Sequence, residues 1–188
     1  MRYAIANAPY ELMNYSSDFI YSNWYIACTS RELKQKPIAK TILGIPLVLF
    51  RDKNSKPTAL LDKCPHRNVP LSQGWVKDNS IICKYHGWQF DADGVCQEVP
   101  GLCNFNDDMK RNVRAYQVIE ENNFIWVYCQ PDEIPKTLPY QFPLMNKPGF
   151  STFSWQMQEL SATLENIAEN FLDATHTHFV HALSLIHI

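Results

Sequence analysis

Two short segments decide the fold of this 188-residue chain, Cys64-Pro65-His66-Arg67 and Cys83-Lys84-Tyr85-His86-Gly87-Trp88. Each segment pairs one thiol with one imidazole, and 16 residues separate His66 from Cys83. Each segment also follows an apolar run of the kind that forms a β-strand. The pattern therefore predicts two hairpin-like loops that meet at their tips and present two sulfur and two nitrogen donors.

The four candidate ligands are Cys64, His66, Cys83 and His86. In a Rieske [2Fe–2S] cluster two Cys bind one iron and two His bind the other. The neutral imidazoles leave the cluster with fewer anionic ligands, which raises its reduction potential because an added electron is less costly. The second ring nitrogen of each imidazole also couples this potential to pH. We predict a Rieske-type cluster at these residues.

Two alternatives stay open at this point. A structural zinc ion also takes two Cys and two His, but zinc motifs usually join Cys with Cys and His with His rather than mixing them. Four unrelated core residues would be the other explanation. Both mixed pairs occur in order, at a spacing that loops can bridge, and this favours the cluster.

The sequence around these segments alternates short β-type runs with turn residues from Trp24 to Gln130. The predicted strands are 38–42, 46–51, 58–62, 74–77, 81–83, 88–91, 95–99, 113–120 and 124–129. Between two of them Asp93-Gly94 indicates a tight hairpin, because Gly tolerates the positive φ that such turns need. Strands at this spacing without long helices indicate a small all-β domain.

The remainder of the chain has a different character. Five prolines between residues 131 and 148 indicate an ordered connector. Residues 152–160 are predicted to form a strand, and Ser161-Ala162-Thr163 to cap a helix that runs from about Leu164 into the histidine-rich end.

Composition excludes several classes of protein. The chain has 17 basic and 19 acidic side chains and no basic cluster, which argues against a nucleic-acid partner. No apolar run approaches the roughly 20 residues of a membrane helix, and no signal peptide is visible, so we expect a cytoplasmic protein. In a reducing compartment thiols tend to be metal ligands or buried residues. We expect burial for the four other cysteines, Cys28, Cys96, Cys103 and Cys129.

A second candidate metal site lies near the end of the sequence, at Asp173, His176 and His181. Two His and one carboxylate form the facial ligand set of mononuclear non-haem Fe(II). Asp173 and His176 are three residues apart and would share a helix face. His176 and His181 lie about 140° apart around a regular helix, so the helix must end or distort between them. A surface helix with clustered histidines, or a histidine-rich zinc site, would be the alternative.

Both candidate sites resemble those of one protein family. The cluster segments are similar to the Rieske domain of bacterial non-haem iron oxygenases, down to the Cys-Pro-His-Arg and Tyr-His-Gly-Trp flanks. Rieske proteins of respiratory complexes carry an additional Cys in each loop, which these loops lack. Residues 169–181 resemble the iron-binding helix of oxygenase catalytic subunits of the vanillate-demethylase or phthalate-dioxygenase kind.

This resemblance implies a role for each residue of the second site. His176 and His181 would be iron ligands, whereas Asp173 would bridge His176 to His86 of a neighbouring subunit and carry the electron across. The third iron ligand of the family is a carboxylate further downstream. Asn170 and His178 lie nearby, and we interpret His178 as a packing or surface residue.

The resemblance also implies a function, that of the oxygenase component of a Rieske non-haem iron system. A separate NAD(P)H-dependent reductase, a ferredoxin, or both would supply electrons, since the chain has no G-x-G-x-x-G motif for a dinucleotide. O₂ would then hydroxylate or oxidatively demethylate a small organic, aromatic substrate, in a homotrimer. A Rieske-type ferredoxin is the alternative, against which residues 173–181 argue.

We therefore predict a mainly β chain that begins with a small antiparallel Rieske domain at 18–135. A proline-rich connector at 136–150 leads to the strand and iron-binding helix that start a truncated α+β catalytic domain at 151–182. The last six residues, 183–188, match one reading frame of a sequencing adapter, and we expect them to be foreign, so His187 is not counted as a ligand. We expect the 188-residue chain to assemble the cluster without oxygenase activity.

Overall fold

The computed structural model of the chain describes residues 20–102, 108–131, 133–145, 147–151, 160–173 and 175–180. The chain divides into two compact units, residues 1–152 and 153–188. The strands are β1 Trp24–Thr29, β2 Ile38–Ile42, β3 Ile45–Arg51, β4 Pro57–Leu61, β5 Trp75–Lys77, β6 Ser80–Ile82, β7 Gln89–Phe90, β8 Cys96–Glu98, β9 Ala115–Tyr116, β10 Val118–Glu121 and β11 Phe124–Tyr128. The helices are α1 Leu164–Leu172 and α2 His176–Val180, and short 3-10 turns lie at Leu71–Gln73 and Met109–Arg111. The predicted mainly β character is confirmed.

The strands of the first unit form three antiparallel sheets. The first sheet has the order β1-β11-β10, the second β2-β3-β4-β9, and the third β5-β6-β7-β8. The first candidate loop leaves the end of β4 in the second sheet, and the second loop connects β6 to β7 in the third sheet. The two loops therefore come from different sheets.

The core lies around the second sheet. Along β3 the consecutive residues Leu47, Val48, Leu49 and Phe50 are all fully buried, and every residue of β4 is buried. Because successive side chains of a strand point to opposite faces, such a run means that both faces of the sheet are covered. The second sheet is thus a rigid base for the first candidate loop.

Three of the four cysteines expected to be buried are so, namely Cys28, Cys96 and Cys129. The fourth, Cys103, lies outside the described residues. Burial raises the pKa of the Cys28 thiol to about 11 and that of Cys129 to about 12. These two side chains are therefore protonated and serve as small apolar residues.

The predicted hairpin at Asp93-Gly94 is present between β7 and β8. Gly94 has φ +77°, and a Cβ at this position would lie 1.9 Å from the carbonyl oxygen of Val113. Only glycine tolerates both the positive φ and the lack of space for a Cβ, so Gly94 allows the turn to pack directly against the backbone of Val113.

The prediction of one continuous strand over 113–120 is wrong. The chain changes sheets at Gln117, because β9 pairs with β4 of the second sheet while β10 pairs with β11 of the first. The Gln117 carbonyl still accepts a hydrogen bond from the N–H of Tyr128 at 2.9 Å. Both halves have the composition of a strand, so the sequence carries no sign of the change of partner.

Part of the proline-rich segment packs on the first sheet. The indole Nε1–H of Trp24 donates to the carbonyl of Thr137 at 2.7 Å. The ring of Phe142 lies 6.3 Å from that of Trp126 and 6.0 Å from that of Phe124, within the range of favourable aromatic pairs. Contacts of this kind hold the segment in place without a regular helix or strand.

The helix of the second unit begins where the sequence predicts. Thr163 caps α1, since its Oγ1 accepts a hydrogen bond from the N–H of Asn166 at 3.2 Å. The predicted continuation into the histidine-rich end is wrong, because α1 ends at Leu172 and a second helix starts at His176. The carboxylate of Asp173 accepts the N–H of Thr175 at 2.9 Å, a local bond that competes with helix propagation.

Two further expectations fall on residues that the structure does not describe. These are the strand expected over 152–160, of which 152–159 lie outside the described residues, and the tail 183–188. Across the described ranges, no helix combines the length and apolar character needed to cross a bilayer.

Candidate metal centre

The first loop is folded by two backbone hydrogen bonds around Cys64. The N–H of Cys64 donates to the carbonyl of Val69 at 2.9 Å, and the N–H of Asn68 donates back to the carbonyl of Cys64 at 2.8 Å. Asn68 has φ +58°, in the left-handed region where Asn is among the better tolerated residues. The loop is therefore a tight turn that begins at its cysteine.

The second loop repeats this scheme at Cys83. The N–H of Cys83 donates to the carbonyl of Trp88 at 2.9 Å, and the N–H of Gly87 donates to the carbonyl of Cys83 at 2.9 Å. Gly87 has φ +73°, the counterpart of Asn68 in the first loop. The two loops are thus the same turn, except that the histidine follows its cysteine by two residues in the first and by three in the second.

The two thiols lie together below the loop tips. Cys64 and Cys83 are 1% and 2% exposed. A hydrogen bond between the two side chains raises the pKa of Cys64 and lowers the pKa of Cys83. Burial raises the pKa of Cys64 further. The backbone N–H groups of the residues two and three positions after each cysteine also lower the pKa of its thiol. Two backbone N–H groups therefore favour the thiolate form of each sulfur, while burial opposes it.

The two imidazoles also lie together. The rings of His66 and His86 are 4.5 Å apart, centroid to centroid, at 57°. Burial lowers the pKa of His66, and the neighbouring His86 and Arg67 lower it further. A lowered pKa favours the neutral imidazole, which is the form that binds a metal. His86 is the more exposed of the two, so the histidine side of the site reaches the surface.

Trp88 links the two loops. Its ring is stacked on that of His66 at 4.9 Å, with 2° between the planes. Trp88 belongs to the second loop and His66 to the first, so the contact orients an imidazole across the gap between them. Sequence analysis gave Trp88 no role, because only the meeting of the loops brings it to His66.

The structure therefore pairs the four predicted donors, Cys64 with Cys83 and His66 with His86. A Rieske cluster asks for two protein ligands on each iron, the thiolates on one and the imidazoles on the other. Among the described residues, no three His, Cys, Asp or Glu side chains are grouped as one single-ion site would need. A binuclear cluster needs no such group, and the paired sulfurs and paired rings fit it.

The second predicted site is described only in part. His176 begins α2, whereas the side chain of His178 and the whole of His181 lie outside the described residues. The expectation that Asp173 and His176 share one helix face is wrong, because they lie on either side of the break between α1 and α2. They are nevertheless in contact, since the Nδ1 of His176 lies 3.7 Å from the Oδ2 of Asp173.

Asp173 is held by its own turn. Its Oδ1 accepts hydrogen bonds from the hydroxyl and the N–H of Thr175, and its backbone carbonyl meets the Nδ1 of His176. The Thr175 donors lower the pKa of the Asp173 carboxyl, so it is a carboxylate at neutral pH. The backbone carbonyl of Asp173 at Nδ1 fixes the ring and leaves the other ring nitrogen for a metal, with the carboxylate 3.7 Å away.

Comparison with known proteins agrees with the first site. Residues 23–117 match the family model described as the Rieske [2Fe-2S] domain. The chain is 33% identical over 165 residues to the oxygenase component of dicamba O-demethylase from Stenotrophomonas maltophilia, covering 87% of this chain and 48% of that protein. It is 30% identical over 163 residues to the oxygenase subunit of vanillate O-demethylase from Pseudomonas sp. strain HR199, covering 86% and 45%.

A solved structure gives the same result. The crystal structure of dicamba monooxygenase bound to dicamba superimposes with a TM-score of 0.79 at 33% identity, over 87% of this chain and 49% of that one. The chain spans about half the length of the curated relatives it matches. Its sequence, its paired donors and its fold agree, and the chain belongs to the Rieske [2Fe–2S] family, with the predicted cluster as its cofactor and oxygenase components among its relatives.

Proposed function

We propose that the protein is the oxygenase component of a Rieske non-haem iron system. The observation that carries this proposal is the extent of the similarity. The match to the Rieske model ends at residue 117, whereas the alignments with the two O-demethylase components cover 87% and 86% of the chain. A Rieske-type ferredoxin would need only the cluster domain. The division into 18–135, 136–150 and 151–182 is proposed on the same basis.

The cluster residues are arranged for electron transfer. When bound, the [2Fe–2S] group takes up and releases one electron at a time. Cys64 and Cys83 hold the buried side of the site, and the exposed His86 lies at its surface. We assign His86 to the route by which an electron leaves toward Asp173 of a neighbouring subunit, in a homotrimer.

The second site is assigned to mononuclear Fe(II), held by His176 and His181. A neighbouring structure is described as dicamba monooxygenase with non-heme iron and dicamba. Asp173 supports the assignment, since its backbone carbonyl meets the Nδ1 of His176 and orients the ring, and its carboxylate lies 3.7 Å from the same nitrogen. The iron supplies activation of O₂, while Asp173 is the residue that connects the two sites.

The proposed partners and substrate follow from the relatives. Those described above are named as components or subunits, which favours a separate NAD(P)H-dependent reductase, with or without a ferredoxin. Two of them are named O-demethylases, and other relatives are named for toluene-4-sulfonate and 3-chlorobenzoate. We assign hydroxylation or oxidative demethylation of a small aromatic compound, in the cytoplasm.

The test uses the product of the open reading frame that contains this sequence, purified with iron and sulfide. It is incubated with NADH, O₂, a reductase of the vanillate-demethylase type and a panel of aromatic methyl ethers and benzoates. We expect substrate-dependent NADH oxidation with release of formaldehyde or a hydroxylated product. The variant His176→Ala should lose product while keeping the electron paramagnetic resonance (EPR) spectrum of the cluster. A protein that is reduced normally but oxygenates nothing and binds no third iron would instead be a ferredoxin.

A further inference from the structure

The two halves of the cluster site are not joined by strand pairing. Within the described part of the chain, β4, which leads to Cys64, and β6, which leads to Cys83, belong to sheets that share no strand. The distance between the loop tips must therefore be set by contacts outside the ladders. A cluster only a few atoms across makes this distance decisive for binding.

One such contact joins Asp62 to Ser72. Asp62 lies two residues before Cys64, and its Oδ1 accepts the N–H of Ser72 at 2.7 Å while its Oδ2 accepts the Ser72 hydroxyl at 2.6 Å. The N–H of Asp62 donates in turn to the carbonyl of Pro46 at 2.9 Å, near the start of β3 in the second sheet. Both carboxylate oxygens are thus committed to one residue.

The Ser72 side of this contact is connected to the second loop. Ser72 lies in the 3-10 turn Leu71–Gln73, which the fully buried Leu71 anchors. The N–H of Gly74 closes the turn on the carbonyl of Leu71 at 2.8 Å. A Cβ on Gly74 would lie 1.9 Å from the carbonyl oxygen of Ile82, so this turn is pressed against the residue that precedes Cys83.

We propose that Asp62 and Ser72 are positioning residues that set the spacing of the two cluster loops. The inference rests on the cluster at Cys64 and Cys83 and is independent of the oxygenase reaction. Hydrogen bonds to a charged acceptor are about twice as strong as neutral ones, and two of them to one residue also fix its orientation. The pair holds the 3-10 turn against the end of β4. Because Gly74 packs against Ile82, the start of the second loop is held there as well.

The test compares Ser72→Ala, Ser72→Thr and Asp62→Asn in the 188-residue chain loaded with iron and sulfide. Ser72→Ala removes one of the two bonds and leaves the charge unchanged. We expect it to shift the EPR g-values and the midpoint potential of the cluster. We also expect cluster loss to a chelator to be about tenfold faster, the factor that corresponds to one hydrogen bond to a charged group.

Ser72→Thr keeps the hydroxyl and should restore all three readouts. Asp62→Asn keeps the shape of the side chain but weakens the acceptor, and should shift the g-values in the same sense as Ser72→Ala. If Ser72→Ala does not fold, Asp62→Asn, which keeps the size of the side chain, is measured in its place.

Ser22→Ala is the matched control. It removes another serine hydroxyl bonded to a carboxylate, that of Glu133 at 2.8 Å, in the same unit but next to the first sheet. It should leave the g-values and the potential unchanged. Variants of Ser72 and Asp62 that lose thermal stability yet keep the wild-type g-values, potential and rate of cluster loss would overturn the proposal. A wild-type chain that takes up no iron and sulfide would overturn both this proposal and the cluster assignment.

Discussion

The cluster loops and the histidine segment hold their candidate ligands in opposite ways. In the loops the thiols are almost fully buried, and backbone N–H groups surround each sulfur. In the second unit no residue of α1 is buried, and Leu164, Phe171 and Leu172 are 77%, 79% and 84% exposed. The first site is therefore fixed by its own unit, whereas the contact between Asp173 and His176 depends on one short turn.

Removing a sulfur ligand should have the largest effect on cluster content and tests the difference between the two sites most directly. Cys64→Ala takes away one of two thiolates of one iron, so we expect complete loss of the cluster, measured as iron and acid-labile sulfide per chain. His176→Ala should leave the acid-labile sulfide at the wild-type level and remove no iron other than that of the second site. Cys28→Ala removes an equally buried thiol that is not a candidate ligand, and should also retain the cluster. Equal iron in the variants of Cys64 and Cys28 would refute the ligand assignment.

The next largest effect should come from losing a close backbone contact beside the loops, that of Gly74. Gly74→Ala places a Cβ 1.9 Å from the Ile82 carbonyl oxygen, so we expect the free energy of unfolding of the first unit to fall by about 3 kcal/mol. Gly44→Ala is the control, because a Cβ on Gly44 meets no atom within 4 Å, although Gly44 has φ +77° where Gly74 has φ −86°. It should cost about 1 kcal/mol. Denaturant unfolding followed by tryptophan fluorescence measures both, and equal losses would contradict the close approach.

The ion pair between Arg51 and Glu120 should have a smaller effect that depends on pH. The guanidinium donates to both carboxylate oxygens, at 2.7 and 2.8 Å, and lowers the pKa of Glu120 below its ordinary value of 4.5. The stabilisation is therefore present above pH 4.5 and is lost as the pH falls through the lower pKa of the folded state. The carboxylate is about one third exposed, so Glu120→Gln should cost about 1 kcal/mol at pH 7 and progressively less as the pH falls below 4.5.

Thermal unfolding at several pH values checks this. Glu121→Gln removes the same charge at the next residue and serves as the control. A loss for Glu120→Gln that does not shrink as the pH falls below 4.5 would show that the ion pair is not its cause.

The smallest effect should come from the cap of α1. Thr163→Ala removes the side-chain acceptor for the Asn166 N–H and should cost about 0.5 kcal/mol of local helix stability. Circular dichroism should show a small loss of helix, while the cluster spectrum stays the same. Thr163→Ser keeps the acceptor and should match the wild type. A change in the cluster spectrum would show that the two units are coupled, contrary to the comparison.

Sequence patterns predicted the fold where a local rule applied. The mixed Cys and His pairs predicted the two loops, the Asp93-Gly94 turn predicted its hairpin, and Thr163 predicted the start of α1. In each case the residues that determine the structure are neighbours along the chain. Within each loop the cysteine and the histidine are held near each other for the same reason, since each loop is a tight turn closed by its own backbone.

The errors arose where distant or competing partners decide the structure. The change of sheets at Gln117 depends on which neighbouring strand is available, and both halves of the segment look alike in sequence. The helix break at Asp173 depends on a carboxylate that bonds Thr175 in place of the helix. The stacking of Trp88 on His66 and the contact of Asp62 with Ser72 exist only once the sheets have assembled.

The change of sheets at Gln117 has a consequence for how the first unit opens. One residue separates β9 from β10, and these strands belong to different sheets. Pulling either sheet away therefore strains the edge strand of the other, so amide protons of the two sheets should exchange with solvent as a single cooperative block.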